Sequence, residues 1–196
     1  MKNLLIIFTK NPELGKVKTR LASTLGAKKA LDVYIDLLNH TNSVSEDVDV
    51  EKWVYYSNKI GDNTYFNEKT YSKFVQKGED LGERMKNAFR HGFKEGYENV
   101  ILIGSDCFEL KSSHLIHAFY ALKKSNFVFG PAKDGGYYLV GMNVLFSKIF
   151  ENKTWSTDTV LEEALEDIKN KKYSFDTIET LSDVDYEEDL KGRLIV

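Results

Sequence analysis

Cysteine is nearly missing from this sequence: one residue, Cys107, in 196. A lone cysteine excludes an internal disulfide and any multi-cysteine metal site, and it fits a reducing compartment. Only two prolines are present, and no proline-rich linker, internal repeat or low-complexity tract divides the chain. The four histidines (His40, His91, His114 and His117) show no ligand spacing; His114 and His117 share a helix face but lack a third ligand nearby. The first apolar run, Leu4–Phe8, is too short for a signal-peptide core or a membrane span. A cytoplasmic protein without membrane insertion is therefore expected. A net charge of −3 gives no general attraction for polymeric nucleic acid, so any phosphate site must be a local basic cluster. The chain also lacks GxxxxGK[ST], GxGxxG and GxSxG, which removes the P-loop, the Rossmann fingerprint and the hydrolase elbow.

What is present is an ordinary globular composition, 42% hydrophobic and 29% charged, long enough for one domain with a sizeable core. Val100–Ile103 is a short, wholly apolar run broken at Gly104, the pattern of a strand buried on both faces of a parallel sheet. Leu4–Phe8 is a second such strand. Lys52–Ser57, Lys73–Gln76 and Tyr173–Ile178 read as further strands. Apolar residues at helical spacing place helices over Val17–Leu25, Ala27–His40, Leu81 to an end near Gly92–Gly96, Leu115–Leu122 and Thr157–Lys169. Ser112 or Ser113 is the expected cap of the fourth, and Thr159 with Glu162 a capping box for the fifth. Asn42–Asp49 reads as a surface connection and Asp185–Gly192 as a short terminal helix. Phe127–Gly130 and Tyr137–Gly141 flank PAKDGG, a hairpin signal that adds one antiparallel strand. Strands alternating with helices imply a three-layer α/β/α fold with a mostly parallel sheet.

Four groups could carry chemistry. Asp106 follows the central strand, where open α/β sheets bind ligands; capping the next helix is its plain alternative. Glu109 is three residues on. Lys10, Lys16, Lys18 and Arg20 cluster after the first strand and at a helix start. Cations there oppose the helix dipole unless an anion is held between them, and a solvated basic face is the alternative. At 100° per residue Lys16 and Arg20 share a face that Lys18 does not. Asp134, Gly135 and Gly136 suit a plain turn or a close approach of backbone to a ligand. In Asp183-Val184-Asp185 an acidic helix cap is the simpler account. A hard cation such as Mg2+ takes one or two carboxylates plus substrate phosphates, and Asp106 supplies one.

Six stretches occur in order: FTKNPELGKVKTRL (8–21), QKGEDLGERM (76–85), IGSDCFEL (103–110), GPAKDGGYYLVG (130–141), WSTDTVLE (155–162) and LSDVDYEEDL (181–190). Together they resemble the radical-SAM/selenodomain-associated transferase family, which has the glycosyltransferase-A-like, nucleotide-diphosphosugar transferase fold. The resemblance spans nearly the whole chain and implies a single domain over 1–196. More distantly the sequence is similar to 2-phospho-lactate and molybdenum-cofactor guanylyltransferases. The resemblance implies a nucleotide or nucleotide-sugar substrate over Thr9, Lys10, Gly15, Lys16, Lys18, Arg20 and Asp80. It implies Mg2+ or Mn2+ on Asp106 and Asp185, an acceptor side of Asp134, Gly135, Gly136 and Trp155, and Asp106, Lys18 and Asp134 as the catalytic set. The protein is expected as a monomer or homodimer. Glycosyl transfer is favoured, because the glycine-rich triphosphate loop is missing. Nucleotidyl transfer is the alternative. So is a catalytically silent nucleotide-binding protein, since Phe108 and Tyr186 depart from the family's proline and Thr-Pro beside the acids.

Overall fold

The computed structural model describes residues 1–62 and 64–190. Seven strands form one sheet: β1 (Asn3–Thr9), β2 (Glu51–Tyr56), β3 (Ser72–Val75), β4 (Asn99–Ile103), β5 (Phe127–Pro131), β6 (Tyr137–Met142) and β7 (Phe175–Thr177). Their order is β3-β2-β1-β4-β6-β5-β7. Only β6 runs antiparallel, between β4 and β5. The helices are α1 (Thr19–Leu25), α2 (Ala27–Glu46), α3 (Leu81–Lys94), α4 (Ser112–Ala121) and α5 (Val160–Asn170).

The two-residue period of a strand explains the three layers. Leu5, Ile7, Ile101 and Ile103 point to one face, where they meet Leu21, Val33, Leu37, Leu115 and Phe119 of α1, α2 and α4. Leu4, Ile6, Val100 and Leu102 point to the other, against Met85, Phe89, Ala164 and Ile168 of α3 and α5. Apolar residues on both faces are why β1 and β4 read as continuous hydrophobic runs. From β1 the chain moves outward to β2 and β3, then returns to place β4 on the other side of β1. The carboxyl ends of β1 and β4 thus flank a topological switch point, where such sheets bind ligands.

Several local expectations change. The expected surface connection from Asn42 is largely helix, since α2 continues to Glu46 with Val44 buried. Its hydroxyls turn back on the helix itself: Thr41 Oγ1 donates to the Leu37 carbonyl at 2.8 Å and Ser45 Oγ to that of Thr41 at 2.7 Å. The serine caps of α4 do not form. His114 Nδ1 instead accepts the Lys111 backbone N–H at 3.1 Å, and Ser112 Oγ donates to Asp47 at 2.9 Å. Thr159 donates to Glu163 at 2.9 Å, so the expected box with Glu162 is absent. The terminal helix is a 3-10 turn over Glu187–Leu190, and residues 191 and 192 of that expectation lie outside the described residues. Among the described residues no helix is long and apolar enough to cross a membrane.

Candidate active site

A cleft of about 490 Å³ opens over the switch point. Thr9 and Lys10 after β1 form one wall with Gly104, Ser105, Asp106 and Cys107 after β4. Tyr34, buried in α2, ties these two strand ends together. Its hydroxyl accepts the Lys10 backbone N–H at 2.8 Å and lies 3.0 Å from Thr9 Oγ1 and 3.3 Å from Ser105 Oγ. Burial, reinforced by the Asp106 carboxylate, pushes its pKa up to about 12, so it stays a neutral structural hydroxyl.

The loop after β4 is stitched to the segment after β7 by three contacts. Val184 N–H donates to the Asp106 carbonyl at 2.9 Å, Ser182 N–H donates to Glu109 Oε2 at 2.8 Å, and the Cys107 thiol donates to the Ser182 carbonyl at 3.4 Å. Burial pushes that thiol up to about 12, which makes it a packing residue and not a nucleophile. The stitching brings Asp183 to the cleft, beside Asp106. Burial first, and the Asp106 carboxylate second, raise the Asp183 carboxyl to about 7; Lys18 opposes the shift and Asp134 and Asp185 add to it. No hydrogen bond or ion pair reaches the Asp183 carboxyl from the described residues.

Lys18 is the residue that the basic cluster turns inward. It stands before α1 in the left-handed region, at φ 47°, and its side chain is only 4% exposed. That backbone twist is why the helix starts at Thr19, two residues later than its periodicity suggests. Lys18 Nζ is 2.9 Å from Asp106 Oδ1 and 3.7 Å from Asp185 Oδ1. Arg20 is 2.9 Å from the other oxygen of Asp185, and Tyr186 covers its guanidinium. Lys16 is spent locally, in an exposed pair with Glu13 at 2.8 Å. Asp80 caps α3 by accepting the Glu83 N–H at 2.8 Å. Gly15, Lys16, Lys18, Arg20, Asp80, Gly135 and Asp185 do not line the cleft, whereas Thr9, Lys10, Asp106, Asp134, Gly136 and Trp155 do. Phe108 packs against His40 of α2, with ring centroids 5.8 Å apart.

The far wall explains two glycines. A Cβ on Gly135, at φ +88°, would stand 2.1 Å from the Asp158 carbonyl oxygen; one on Gly82 would stand 2.6 Å from the Trp155 indole. The hairpin glycine thus admits the backbone of the 155–159 segment, and Leu161 at the start of α5 donates its N–H to the Gly135 carbonyl at 3.1 Å. Asp134 Oδ1 accepts the Gly136 N–H at 2.9 Å and holds the turn. Gly135→Ala is expected to cost about 2 kcal/mol from its positive φ and the clash together. It should also shift the emission of Trp155. A denaturant melt read by tryptophan fluorescence checks both; unchanged stability would contradict this account of the turn.

The oxygen-only set of Asp106 and Asp183 fits a hard cation shared with phosphate. Asp183 has no ion pair among the described residues, and Asp106 is 45% exposed beside its pair with Lys18. Among the described residues no cluster of three or more acidic, histidine or cysteine side chains stands ready to hold a metal by itself. Three residues that sequence reasoning passed over also line the cleft: Gln76, Leu81 and Arg84. Gln76 and Arg84 lie in the QKGEDLGERM stretch, but nothing in their spacing singles them out.

The family model described as "Uncharacterized protein conserved in bacteria (DUF2064)" matches residues 40–157. No curated protein matches the chain. A crystal structure from Desulfovibrio desulfuricans G20, of a protein named for the nucleotide-diphospho-sugar transferases, is similar at 28% identity and TM-score 0.88, covering 95% of this chain and 84% of that one. A cytidylyltransferase from Leptospira borgpetersenii is similar at 13% identity and TM-score 0.57, covering 99% and 88%. A 4-diphosphocytidyl-2C-methyl-D-erythritol synthase from Anaerococcus prevotii is similar at 10% identity and TM-score 0.60, covering 97% and 93%. These two share the fold.

Proposed function

The chain belongs to the DUF2064 family, and from that footing we propose that it is a transferase using a nucleotide-activated donor, with a nucleoside diphosphate sugar as donor and glycosyl transfer as the reaction. One observation carries the reading. Lys10 and Arg84, cations without a carboxylate partner among the described residues, share the cleft with Asp106 and with Asp183, an acid without a cation partner. Cations suit phosphate oxygens, and paired acids suit the divalent ion that accompanies them. The Desulfovibrio relative, at 28% identity over nearly the whole chain, supports the same donor class.

In this reading Asp106 and Asp183 would hold Mg2+ or Mn2+, which would supply positive charge against the diphosphate. Lys10 and Arg84 bind the phosphates. Lys18 stays beneath the acids and orients Asp106 through their ion pair. On the acceptor side the Trp155 ring covers a sugar face, and Asp134 orients the acceptor hydroxyl and takes its proton as the new glycosidic bond forms and the sugar–phosphate bond breaks. The cytoplasm is the proposed compartment, since a lone free cysteine fits a reducing one.

A thermal-shift series of nucleoside diphosphates and sugar nucleotides, with and without Mg2+ or Mn2+, tests this. A ligand at one hundred times its Kd adds about 2.7 kcal/mol. The expected result is a shift larger with metal than without, and Asp106→Asn should lose the metal-dependent part. No metal-dependent shift with any nucleotide would remove the reading. Nucleotidyl transfer is the second reading, because two cations without carboxylate partners among the described residues, beside acids that suit a divalent ion, also match a triphosphate. Pyrophosphate released from a triphosphate would favour it; free nucleoside diphosphate released from a sugar nucleotide favours glycosyl transfer.

A further inference from the structure

Gln76 follows β3, and it is fastened in a way that decides which of its atoms a ligand can meet. Its backbone N–H continues the ladder to the Tyr56 carbonyl at 2.9 Å. Its side chain then crosses beneath the ends of β2 and β1. Nε2 donates to the Tyr55 carbonyl at 3.0 Å and to the Thr9 carbonyl at 3.2 Å. Both donors of the amide are therefore used, and by acceptors that only the NH2 end can satisfy. The side chain lines the cleft, and Oε1 has no partner among the described residues. A glutamine on a surface flips its amide to suit whatever approaches. This one cannot, because flipping would set Oε1 against two carbonyl oxygens and leave them unpaired.

Five residues on, at the start of α3, Leu81 also lines the cleft and is 44% exposed, an apolar cover for a flat ring. Phe8 also lines the cleft. An apolar surface next to one fixed acceptor is a base-binding arrangement with a preference built in. We propose that Gln76 Oε1 selects the nucleobase by accepting a hydrogen bond from an exocyclic amino group, so that the donor nucleotide carries an amino-bearing base. The inference rests on the nucleotide reading above and names its substrate class. Uracil carries a carbonyl oxygen, and hypoxanthine a C–H, where cytosine and guanine carry the amino group, so neither offers a fixed acceptor a hydrogen bond at that position. An amino group brings only hydrogens. A site that offers a fixed acceptor discriminates strongly against an analogue lacking the donor, because the acceptor is then buried unpaired.

Two natural pairs probe the amino group. Guanosine and inosine triphosphates differ only by the 2-amino group, while cytidine and uridine triphosphates differ in the group at C4 and in the hydrogen on N3. Calorimetric titration of the full chain with all four, at saturating Mg2+, gives the ratios. Within the pair that binds more tightly, the amino-bearing member should lead by at least tenfold. Gln76→Met should reduce that ratio to within about twofold while the weaker member binds as before. A role confined to tying strand ends together would lower the melting temperature of the variant and leave the ratio intact. Equal binding within both pairs by the wild-type protein overturns the proposal, with no variant needed, as does a ratio that survives Gln76→Met. Failure of all four to bind, with no thermal shift from any nucleoside diphosphate or sugar nucleotide, overturns the nucleotide reading itself, so the two failures are distinct.

Discussion

Asp183→Asn is expected to make the ligand-free protein more stable at pH 8, by about 3 kcal/mol, while removing most of its turnover. The stability effect follows from the carboxyl's displacement to about 7, caused by burial and by Asp106. In the unfolded chain this acid ionises near its ordinary value, so between about pH 4 and pH 7 the folded protein holds a proton that the unfolded chain has released. Stability then falls as pH rises through that window, and the whole penalty is present above it. Each unit is about 1.4 kcal/mol, and the opening of the carboxyl onto the cleft screens part of it. Denaturant melts at pH 4, 5.5 and 8 should show the two proteins converging at the acid end and diverging at pH 8. The activity effect has the opposite sign, because a neutral amide is a poor ligand for a hard cation. A loss of two orders of magnitude in turnover corresponds to about 3 kcal/mol of transition-state stabilisation. A variant both less stable at pH 8 and fully active would show Asp183 to be a structural acid.

Lys18→Met is expected to do the reverse: it should destabilise the ligand-free protein by roughly 2–4 kcal/mol at pH 8 and strengthen its binding of Mg2+. Lys18 Nζ lies against Asp106 and Asp185, and its charge opposes the rise of the Asp183 pKa. Removing one partner of a largely buried pair leaves the others uncompensated, and the half-exposure of Asp106 and Asp185 keeps the cost below that of a fully buried pair. Without Lys18 the Asp183 pKa moves further up, so the pH window of falling stability extends to higher pH. The loss should therefore be smaller at pH 5, where Asp183 is protonated in either protein. Because Lys18 does not line the cleft, nucleotide binding without metal should change little. Adding Asp183→Asn should restore much of the stability, a coupling that a double-mutant cycle reads directly. Additive losses with weakened metal-free nucleotide binding would instead make Lys18 a direct phosphate contact.

The contrast between these two residues shows where sequence reasoning stopped. On a helical wheel Lys18 faces away from Lys16 and Arg20, and nothing in that geometry says which face is inside. The left-handed backbone at Lys18 makes the decision, and such a twist at a lysine has no local signature. Asp183 and Asp185 are alternate residues of one short segment, and the resemblance points to the second. Arg20 and Lys18 engage Asp185, while the hydrogen bonds from Ser182 and Val184 to the loop after β4 turn Asp183 toward the cleft. That choice depends on strands 70 residues apart in sequence. The hairpin glycines were legible as a turn, but the body that approaches Gly135 is Asp158 of this chain.

By itself the sequence determined the things that repeat along it. Continuous apolar runs at 4–8 and 100–103 report burial on both faces, and hence parallel strands between two helical layers. Helical spacing located the five helices, and DGG marked the one antiparallel return. The position of Asp106 followed from the same logic, since a strand's carboxyl end is an edge of the sheet wherever the sheet lies. Only the tertiary structure decided which side chains share the cleft: Gln76, Arg84 and Asp183 inward, Lys16, Arg20 and Asp80 elsewhere. Periodic patterns are encoded within a few residues, because burial of a face depends on spacing alone. The membership of a site depends on hydrogen bonds and ion pairs between segments far apart in the chain, and those exist only once the sheet has brought the segments together.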